Sequence, residues 1–121
     1  MSAFDRLDEV APLQLFPGFL ARAIHGEELT LAVVEIDPDA DLPEHHHANE
    51  QFGLVISGSL HFRVGDEEQE LEAGETWRIS SGTPHSARAG ADGAVVLDVF
   101  APPRTDWQSL ATSEPQSPRW P

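Results

Sequence analysis

Residues Phe52–Val64 read FGLVISGSLHFRV, and this stretch decides the fold class. Phe52–Ser57 is a short apolar run rich in β-branched residues. After Gly58-Ser59, apolar residues alternate with polar ones in Leu60–Val64. Alternation with a period of two is typical of a strand that buries one face. The stretch therefore predicts two short strands separated by a turn.

The same pattern continues on both sides of this stretch. Further strands are predicted at Leu29–Ile36, Thr76–Ile79 and Ala94–Phe100, and glycines mark the turns between them. Short strands that recur with regular turns indicate a sandwich or barrel, so the fold class is all-β. No segment shows a sustained helical period. The pattern allows one short N-terminal helix over Ala3–Val10, with Ser2 as its cap.

The chain has 121 residues, which is the size of one domain. We assign residues 1–104 to this domain, whereas residues 105–121 are rich in Pro, Ser and Gln. We expect this C-terminal tail to lie along the surface or to be partly disordered.

Composition excludes several classes of function. The formal net charge is −14 and every basic residue is arginine, which argues against nucleic-acid partners and anionic membranes. The absence of cysteine excludes disulfides, zinc–thiolate sites and cysteine nucleophiles. No apolar run is long enough to span a bilayer, and residues 1–10 lack the apolar segment of a signal peptide. We therefore expect a soluble cytoplasmic protein.

Histidines cluster in Leu42–Gln51, which reads LPEHHHANEQ. His45 and His47 are two residues apart, so on a strand they share a face, and Gln51 has the same parity. His85 follows a turn-rich stretch much later in the chain, and a closed β architecture can bring it against them. These four residues are predicted to bind a metal ion.

The choice of ligands bears on the chemistry of the predicted metal site. Imidazole suits zinc, nickel, copper and iron. Three neutral imidazoles and the neutral amide of Gln51 leave the charge of a divalent ion uncompensated, which favours an anionic oxygen ligand and Lewis-acid catalysis. The alternative is a solvated histidine-rich loop. His46 is expected to face away, and the isolated His25 and His61 are interpreted as structural.

Asp98 lies inside the apolar run AVVLDVF, where a carboxylate is costly to bury unless it is paired or functional. Asp98 and Phe100 share one face, and Val95, Leu97 and Val99 share the other. If those three form the core layer, Asp98 and Phe100 line the opposite face. Arg104 follows the strand. Asp98 and Arg104 form either an acid/base group with an anion clamp or a structural ion pair. Other candidate clamps remain unassigned: Arg63, Arg78 and Arg88.

Two segments resemble the motifs of the cupin family. Pro43–Gly58 is similar to the first motif, with its HxH, a fourth ligand and a closing glycine. Gly74–His85 is similar to the second, with its glycine, turn and late histidine. The resemblance covers about residues 29–100, the expected metal-binding core, and implies a cupin jelly-roll β-barrel (double-stranded β-helix).

The sequence departs from the cupin motifs at four positions. The glycine that normally opens the first motif is Asp39, and the usual glutamate ligand is Gln51. A proline of the second motif is Ser80, and its terminal asparagine is Ala89. The substitution at position 51 changes the ligand chemistry and points to a subgroup of the family.

That subgroup resembles the KdgF-type cupins, through HxHxxxQ, GTPH and the string LDVFAPPR at Leu97–Arg104. Members of this type convert unsaturated uronates, which polysaccharide lyases release from pectin and alginate, to open-chain ketones. The resemblance implies an isomerase-like enzyme that carries one divalent metal ion (Zn, Ni, Fe or Mn) and takes a small anionic sugar. It also implies the site residues: for the metal His45, His47, Gln51 and His85, and for catalysis Asp98, Phe100 and Arg104.

Other interpretations are open at this stage. Cupins with His and Gln ligands also act as polyketide cyclases, which should show a wide pocket lined by aromatic residues. A non-catalytic sugar-binding or metal-binding cupin is the alternative without turnover. We also expect a homodimer formed through an N-terminal strand within Phe16–Ile24.

Overall fold

The computed structural model describes residues 2–121. Eight strands form within these residues, and short 3-10 helices at Leu7–Glu9 and Thr105–Ser109 flank them. The strands are β1 (Leu13–Phe16), β2 (Phe19–His25), β3 (Thr30–Ile36), β4 (Asp41–His45), β5 (Glu50–Val64), β6 (Glu67–Glu72), β7 (Thr76–Ile79) and β8 (His85–Ala101). The predicted all-β fold class is confirmed.

The sheet curls because its two longest strands pair with different neighbours along their length. The strand order is β1-β2-β3-β8-β5-β6, with β4 also paired to β8 and β7 to β5, and all pairings are antiparallel. The first half of β8 pairs with β4 and the second half with β3. This closes the sheet into a jelly roll and brings the end of β4 beside the start of β8.

One predicted turn is absent. Residues Phe52–Ser57 and Leu60–Val64 belong to the single strand β5, and Gly58-Ser59 is not a turn between two strands. The pairing of β5 with β8 instead shifts register twice around this point. Gly58 has φ +78°, and a Cβ there would overlap the carbonyl of Gly93 on β8. The glycine therefore permits a bulge that bends a continuous strand.

The core lies inside the jelly roll. From β8, Ala94, Val96 and Phe100 belong to the core, and further core residues include Val34, Ile36, Leu60, Phe62 and Trp77. The premise that Val95, Leu97 and Val99 form the core layer is therefore wrong, because they point to the outer face of the sheet. Asp98 consequently faces the interior of the barrel itself.

The N-terminal prediction is corrected in part. No α-helix forms over Ala3–Val10, and a 3-10 helix covers only Leu7–Glu9, after Arg6. The Ser2 hydroxyl accepts a hydrogen bond from the Phe4 N–H rather than capping a helix. Three residues of 3-10 helix bury no side chain, which agrees with the missing apolar periodicity. None of the helices in residues 2–121 is long and apolar enough to cross a membrane.

The C-terminal tail packs against the barrel. Thr105–Ser109 buries Trp107, and Thr112 bridges to Leu13 on β1. Farther along, Arg119 contacts Glu35 of β3 through its backbone N–H and its guanidinium, at 2.8 and 3.1 Å. The tail thus lies along the surface and contributes side chains at the open end of the barrel.

Candidate metal centre and active site

Three histidines converge at one end of the barrel. His45 ends β4, His85 begins β8, and the two are register partners. His47 lies in the loop after β4. The prediction that His47 shares a strand face with His45 is therefore wrong, and the loop sets its position. The Gly82 N–H holds this loop through the His47 carbonyl at 2.9 Å. One ring nitrogen from each histidine lies within 4.8 Å of the others, so the three can hold a metal ion.

All three imidazoles are oriented in the same way. Each Nδ1 lies at hydrogen-bond distance from a backbone carbonyl two residues away: His45 to Pro43 at 2.9 Å, His47 to Asn49 at 3.0 Å, and His85 to Thr83 at 2.9 Å. A carbonyl only accepts, so each Nδ1 carries the proton. In the neutral imidazole, Nε2 then keeps its lone pair, which is the tautomer that a metal ligand requires.

Burial keeps two of these imidazoles neutral. His85 is 1% exposed, and its Nε2 has no hydrogen-bond partner. Desolvation lowers the pKa of His85 to about 4. Desolvation, followed by the positive charge of Arg104, also lowers the pKa of His47. A buried imidazole with an unpartnered lone pair is costly for folding, and a metal ion at Nε2 would remove that cost.

Gln51 completes the set of four predicted ligands. Its amide Nε2–H donates to Asp98 Oδ1 at 2.9 Å, which directs Oε1 toward His47 Nε2 at 3.1 Å. The hydrogen bonds at His47 Nδ1 and Gln51 Nε2 orient the two side chains so that His47 Nε2 and Gln51 Oε1, both acceptors, face each other. A cation between them satisfies both lone pairs. The residues present therefore fit a metal ion, which the three histidines could hold, with the Gln51 oxygen positioned beside them.

Asp98 lies directly behind Gln51. It is 7% exposed, and burial raises the pKa of its carboxyl group to about 6, although the Gln51 amide, the Trp77 indole and the charge of Arg104 act in the opposite direction. The buried Trp77 Nε1–H has no hydrogen bond of normal geometry, and it is near enough to Asp98 to lower that pKa. A carboxyl group with such a pKa can hold or release a proton near neutral pH.

A glycine makes room for the Trp77 indole beside Asp98. Gly53 on β5 is the register partner of both Asp98 on β8 and Trp77 on β7. A Cβ on Gly53 would overlap the indole ring. The missing side chain thus lets the indole reach across β5 toward the carboxylate.

Arg104 contacts different groups from those predicted. Its guanidinium donates Nε–H and Nη2–H to the two carboxylate oxygens of Asp106, at 3.1 and 2.9 Å. It also stacks on the rings of Phe100 and Trp107, at 4.8 and 4.5 Å from their centroids. Among residues 2–121 Asp98 forms no salt bridge with Arg104, so the structural pair considered for these two residues does not form.

These side chains line one cavity of about 250 Å³. Its polar lining residues are His45, Gln51, His85, Asp98, Arg104 and Asp106, and the other lining residues are apolar or aromatic. His47 is not among the lining residues but belongs to the histidine cluster. Six aromatic side chains contribute to the walls: Phe16, Phe19, Phe62, Trp77, Phe100 and Trp107. The structure thus brings together all the predicted site residues.

The residues interpreted as bystanders lie elsewhere. His46 is exposed, as expected of a side chain that faces away from the site. His25 lies 2.8 Å from the Thr30 hydroxyl, and His61 lies among Glu68 and Glu70 on the outer surface. The three unassigned arginines do not line this cavity: Arg63, Arg78 and Arg88.

Four residues of the site were missed in the sequence. Asp106 and Trp107 belong to the segment interpreted as a tail. The signal that could have found them is their position two and three residues after Arg104. Trp77 was assigned to a strand but given no role. The Asn49 side chain donates to the carbonyls of Pro102 and Pro103, which ties the His47 loop to the exit of β8.

Fold and site together define a jelly-roll barrel with a three-histidine, metal-capable centre at its open end. The family model described as the cupin domain matches residues 32–100, which is more than half of the chain. The protein belongs to the cupin family.

Comparison with individual proteins refines this assignment. An RmlC-like cupin from Shewanella frigidimarina superposes with a TM-score of 0.81 at 22% identity, covering 88% of this chain and 96% of that chain. KdgF from a Halomonas species superposes with a TM-score of 0.80 at 26% identity, covering 88% and 98%. The protein is thus similar to the small KdgF-like cupins over nearly their whole length.

A curated relative matches only in part. The H2HPP isomerase of Bacillus subtilis is 36% identical over 62 residues. The match covers 50% of this chain and 26% of the relative, so the chain spans about a quarter of that protein.

Proposed function

We propose that the protein is a metal-dependent cupin enzyme that converts 4,5-unsaturated uronates to their open-chain keto form. The observation that carries the proposal is the position of Gln51, whose amide joins a metal-capable histidine cluster to a buried acid. The similarity to KdgF supports the choice of substrate class. Such a reaction belongs to the cytoplasmic breakdown of pectin or alginate.

The proposed cofactor is one divalent ion, held by His45, His47, His85 and the Gln51 oxygen. When bound, it supplies a positive charge that binds the substrate carboxylate and polarises the adjacent oxygen. The four ligands are neutral in this arrangement, so they leave that charge undiminished. The uncompensated charge also suits an anionic substrate in a protein whose net charge is −14.

Asp98 is the proposed proton carrier. In the reaction the C1–O5 bond of the ring breaks, carbonyl groups form at C1 and C5, and the C4=C5 double bond becomes single. The hydroxyl proton of O1 is lost and a proton is gained at C4, so atoms and electrons balance without an oxidant or reductant. A carboxyl group with a pKa of about 6 can accept the first proton and supply the second.

Arg104 and Phe100 are proposed to hold the substrate. The Arg104 guanidinium is the positively charged side chain in the cavity lining, and its planar fork matches a carboxylate. Phe100 stacks under that guanidinium and fixes its plane. A cavity of about 250 Å³ lies below the range usual for drug-sized ligands, which favours a monosaccharide over a larger substrate.

A ketonisation assay tests the proposal. Unsaturated galacturonate or mannuronate, freshly released by a lyase, is mixed with metal-loaded protein, and loss of the ultraviolet absorbance of the double bond is followed. We expect acceleration over the spontaneous rate that is lost in Asp98→Asn. No acceleration by protein that demonstrably holds metal would contradict the proposed activity.

The aromatic lining favours a second candidate, a cupin-type polyketide cyclase. Six aromatic side chains line the cavity, as expected for that class, whereas its small volume favours the uronate. A non-catalytic sugar-binding or metal-binding cupin is the remaining alternative, and the same turnover assay separates it from both enzymes.

A further inference from the structure

The Nε/Nη2 edge of the Arg104 guanidinium, which can bind a carboxylate by two parallel hydrogen bonds, is already occupied by a carboxylate of the same chain. Asp106 accepts from Nε and Nη2 in the parallel, two-bond arrangement that a carboxylate ligand would use. Both residues line the cavity that contains the histidine cluster. An anionic ligand that binds Arg104 through this Nε/Nη2 edge therefore has to replace Asp106.

The two members of this pair differ in how firmly they are held. The Arg104 side chain is 11% exposed and stacks on two aromatic rings. The backbone N–H of Arg104 donates to the buried Thr30 hydroxyl at 2.9 Å. The Asp106 side chain is 63% exposed, and Arg104 is its ion-pair partner. Arg104 is thus the fixed member of the pair, and Asp106 can leave for solvent.

A second pair in the same chain has this geometry away from the histidine cluster. Arg6 and Asp8 are also two residues apart and use the same atoms, with Nε to Oδ1 at 3.2 Å and Nη2 to Oδ2 at 3.1 Å. The Arg6 side chain is 71% exposed and faces no metal-capable centre. The pair thus forms at this sequence spacing without burial, and of the two pairs the one at Arg104 lines the cavity that contains the histidine cluster.

We propose that Asp106 is a displaceable internal carboxylate that controls which anions bind the cavity. Without a ligand, Asp106 pairs with the Arg104 guanidinium. A ligand carboxylate takes the place of Asp106 only when the ligand makes further contacts in the cavity that add binding free energy. Simple anions that offer a carboxylate and nothing else are then excluded. Asp106 is thereby a specificity-determining residue. The inference rests on the proposed function in assigning an anionic ligand to Arg104.

The physical basis is a competition between two carboxylates for one guanidinium. The exchange replaces one charge-assisted bidentate pair by another, so by itself it gains little free energy. In Asp106→Asn the guanidinium keeps a neighbour of the same shape that has lost its negative charge. A ligand carboxylate then gains the full charge-assisted pair. Solvent screens the exposed Asp106 carboxylate, which limits the gain from removing its charge. We expect small carboxylates to bind Asp106→Asn about fivefold more tightly than wild type, or better.

The test measures binding without turnover. Acetate and saturated galacturonate are titrated into wild-type, Asp106→Asn and Asp8→Asn proteins, and the Nε–H resonance of Arg104 is followed by NMR after assignment through its loss in Arg104→Lys. Asp8→Asn is the matched control, because it removes the same charge from the same arrangement of atoms. Circular dichroism confirms that each variant is folded, as expected for exposed positions.

We expect both probes to bind Asp106→Asn more tightly than wild type, with a larger relative gain for acetate, and to bind Asp8→Asn unchanged. Equal affinities in wild type and Asp106→Asn, or no response of the Arg104 resonance in either, would overturn the inference. Ketonisation is assayed separately. If wild type turns over the uronate but Asp106→Asn shows no change in anion affinity, the proposed role of Asp106 is wrong and the proposed activity stands. If Asp106→Asn binds anions more tightly but wild type shows no turnover, the proposed activity is wrong and the role of Asp106 stands.

Discussion

The side chain of Gln51 lies between His47 and Asp98, with Oε1 3.1 Å from His47 Nε2 and Nε2 2.9 Å from Asp98 Oδ1. One neutral amide thus offers an oxygen to the metal-capable centre and a proton donor to the buried acid. The glutamate that is usual at this position in cupins would, when ionised, offer the acid only an acceptor. The amide is therefore what allows Asp98 to lie beside the centre.

The variant Gln51→Glu tests this arrangement. It places a second carboxyl group against Asp98, and two carboxylates in contact cannot both ionise easily, so one of them holds a proton. We expect metal to be retained and ketonisation to fall by about tenfold or more, because proton transfer by Asp98 is disturbed. Metal content by mass spectrometry and initial rates are measured on the same samples. An unchanged rate would show that the amide is not required.

Metal binding is predicted to depend on His85 and not on His46. His85→Ala removes a buried ligand whose Nε2 has no other partner, and we expect metal affinity to fall by at least about a hundredfold. His46→Ala is the matched control, since His46 is exposed in the same run of histidines. Titration with zinc or nickel after chelator treatment gives both affinities. Equal losses in the two variants would indicate a solvated histidine-rich loop.

Asp98→Asn separates chemistry from binding. The substitution keeps the shape of the side chain but removes the group that exchanges protons, so we expect kcat to fall by about 10²–10⁴-fold. Metal affinity should be nearly unchanged, because the side-chain oxygen of Asn can still accept the hydrogen bond from the Gln51 amide. Steady-state kinetics and metal titration on one preparation check both statements. A loss confined to metal affinity would assign Asp98 a positioning role only.

The sequence located the histidine cluster better than its surroundings. His45, His47, Gln51 and His85 could be selected because their residue types carry the chemistry and a closed β fold brings the ends of β4 and β8 together. The reasoning from parity failed for His47, since strand β4 ends at His45 and the loop is shaped by backbone hydrogen bonds. Such bonds depend on partners distant in sequence, which no local pattern specifies.

The contacts of Arg104 were beyond sequence reasoning for a similar reason. An Asp two residues away can pair with an arginine, as Arg6 and Asp8 do, but whether that pair lies in a cavity depends on the packing of Trp107. The tail composition predicted a surface segment or partial disorder. The tail does lie along the surface, but its buried Trp107 and its contacts through Thr112 and Arg119 were not predicted. The bulge at Gly58 in β5 could not be predicted either, because it depends on the close approach of the Gly93 carbonyl on β8.

Glu35 is predicted to link the tail to stability at acid pH. Burial raises its pKa, but the hydrogen bonds from Arg119 and the charges of Arg22 and Arg119 outweigh burial and hold the pKa below its ordinary value of 4.5. The stabilising contribution of Glu35 is therefore complete above about pH 4.5 and is lost as the pH falls through the folded-state pKa. Denaturant unfolding between pH 7 and acid measures this loss.

The variant Glu35→Gln provides the comparison. It leaves the guanidinium of Arg22, which is 1% exposed, without its carboxylate partner at 2.7 Å, and we expect a loss of about 3 kcal/mol at neutral pH. The difference from wild type should shrink as the pH falls. Asp41→Asn, which breaks the exposed pair with Arg88, should cost less than about 1 kcal/mol. A difference that stays constant with pH would contradict the role of Glu35.

Gly53→Ala tests the packing behind Asp98. The added Cβ would overlap the Trp77 indole, so the ring has to move away from the carboxylate, and we expect a loss of about 1–3 kcal/mol in stability. Activity should fall even under conditions where the variant is fully folded. Near-ultraviolet circular dichroism reports the displacement of the indole. An unchanged spectrum with wild-type activity would show that the barrel accommodates the methyl group.

The most direct test of the central claim follows the proton that reaches C4 of the uronate. Ketonisation is run in D₂O with metal-loaded wild-type protein, and the product is examined by NMR for deuterium at the two positions on C4. The account predicts a single favoured position, because Asp98 delivers the proton to one face of the bound substrate, and loss of this preference in Asp98→Asn. Equal labelling of the two positions at the spontaneous rate would contradict the claim that this cupin catalyses the reaction.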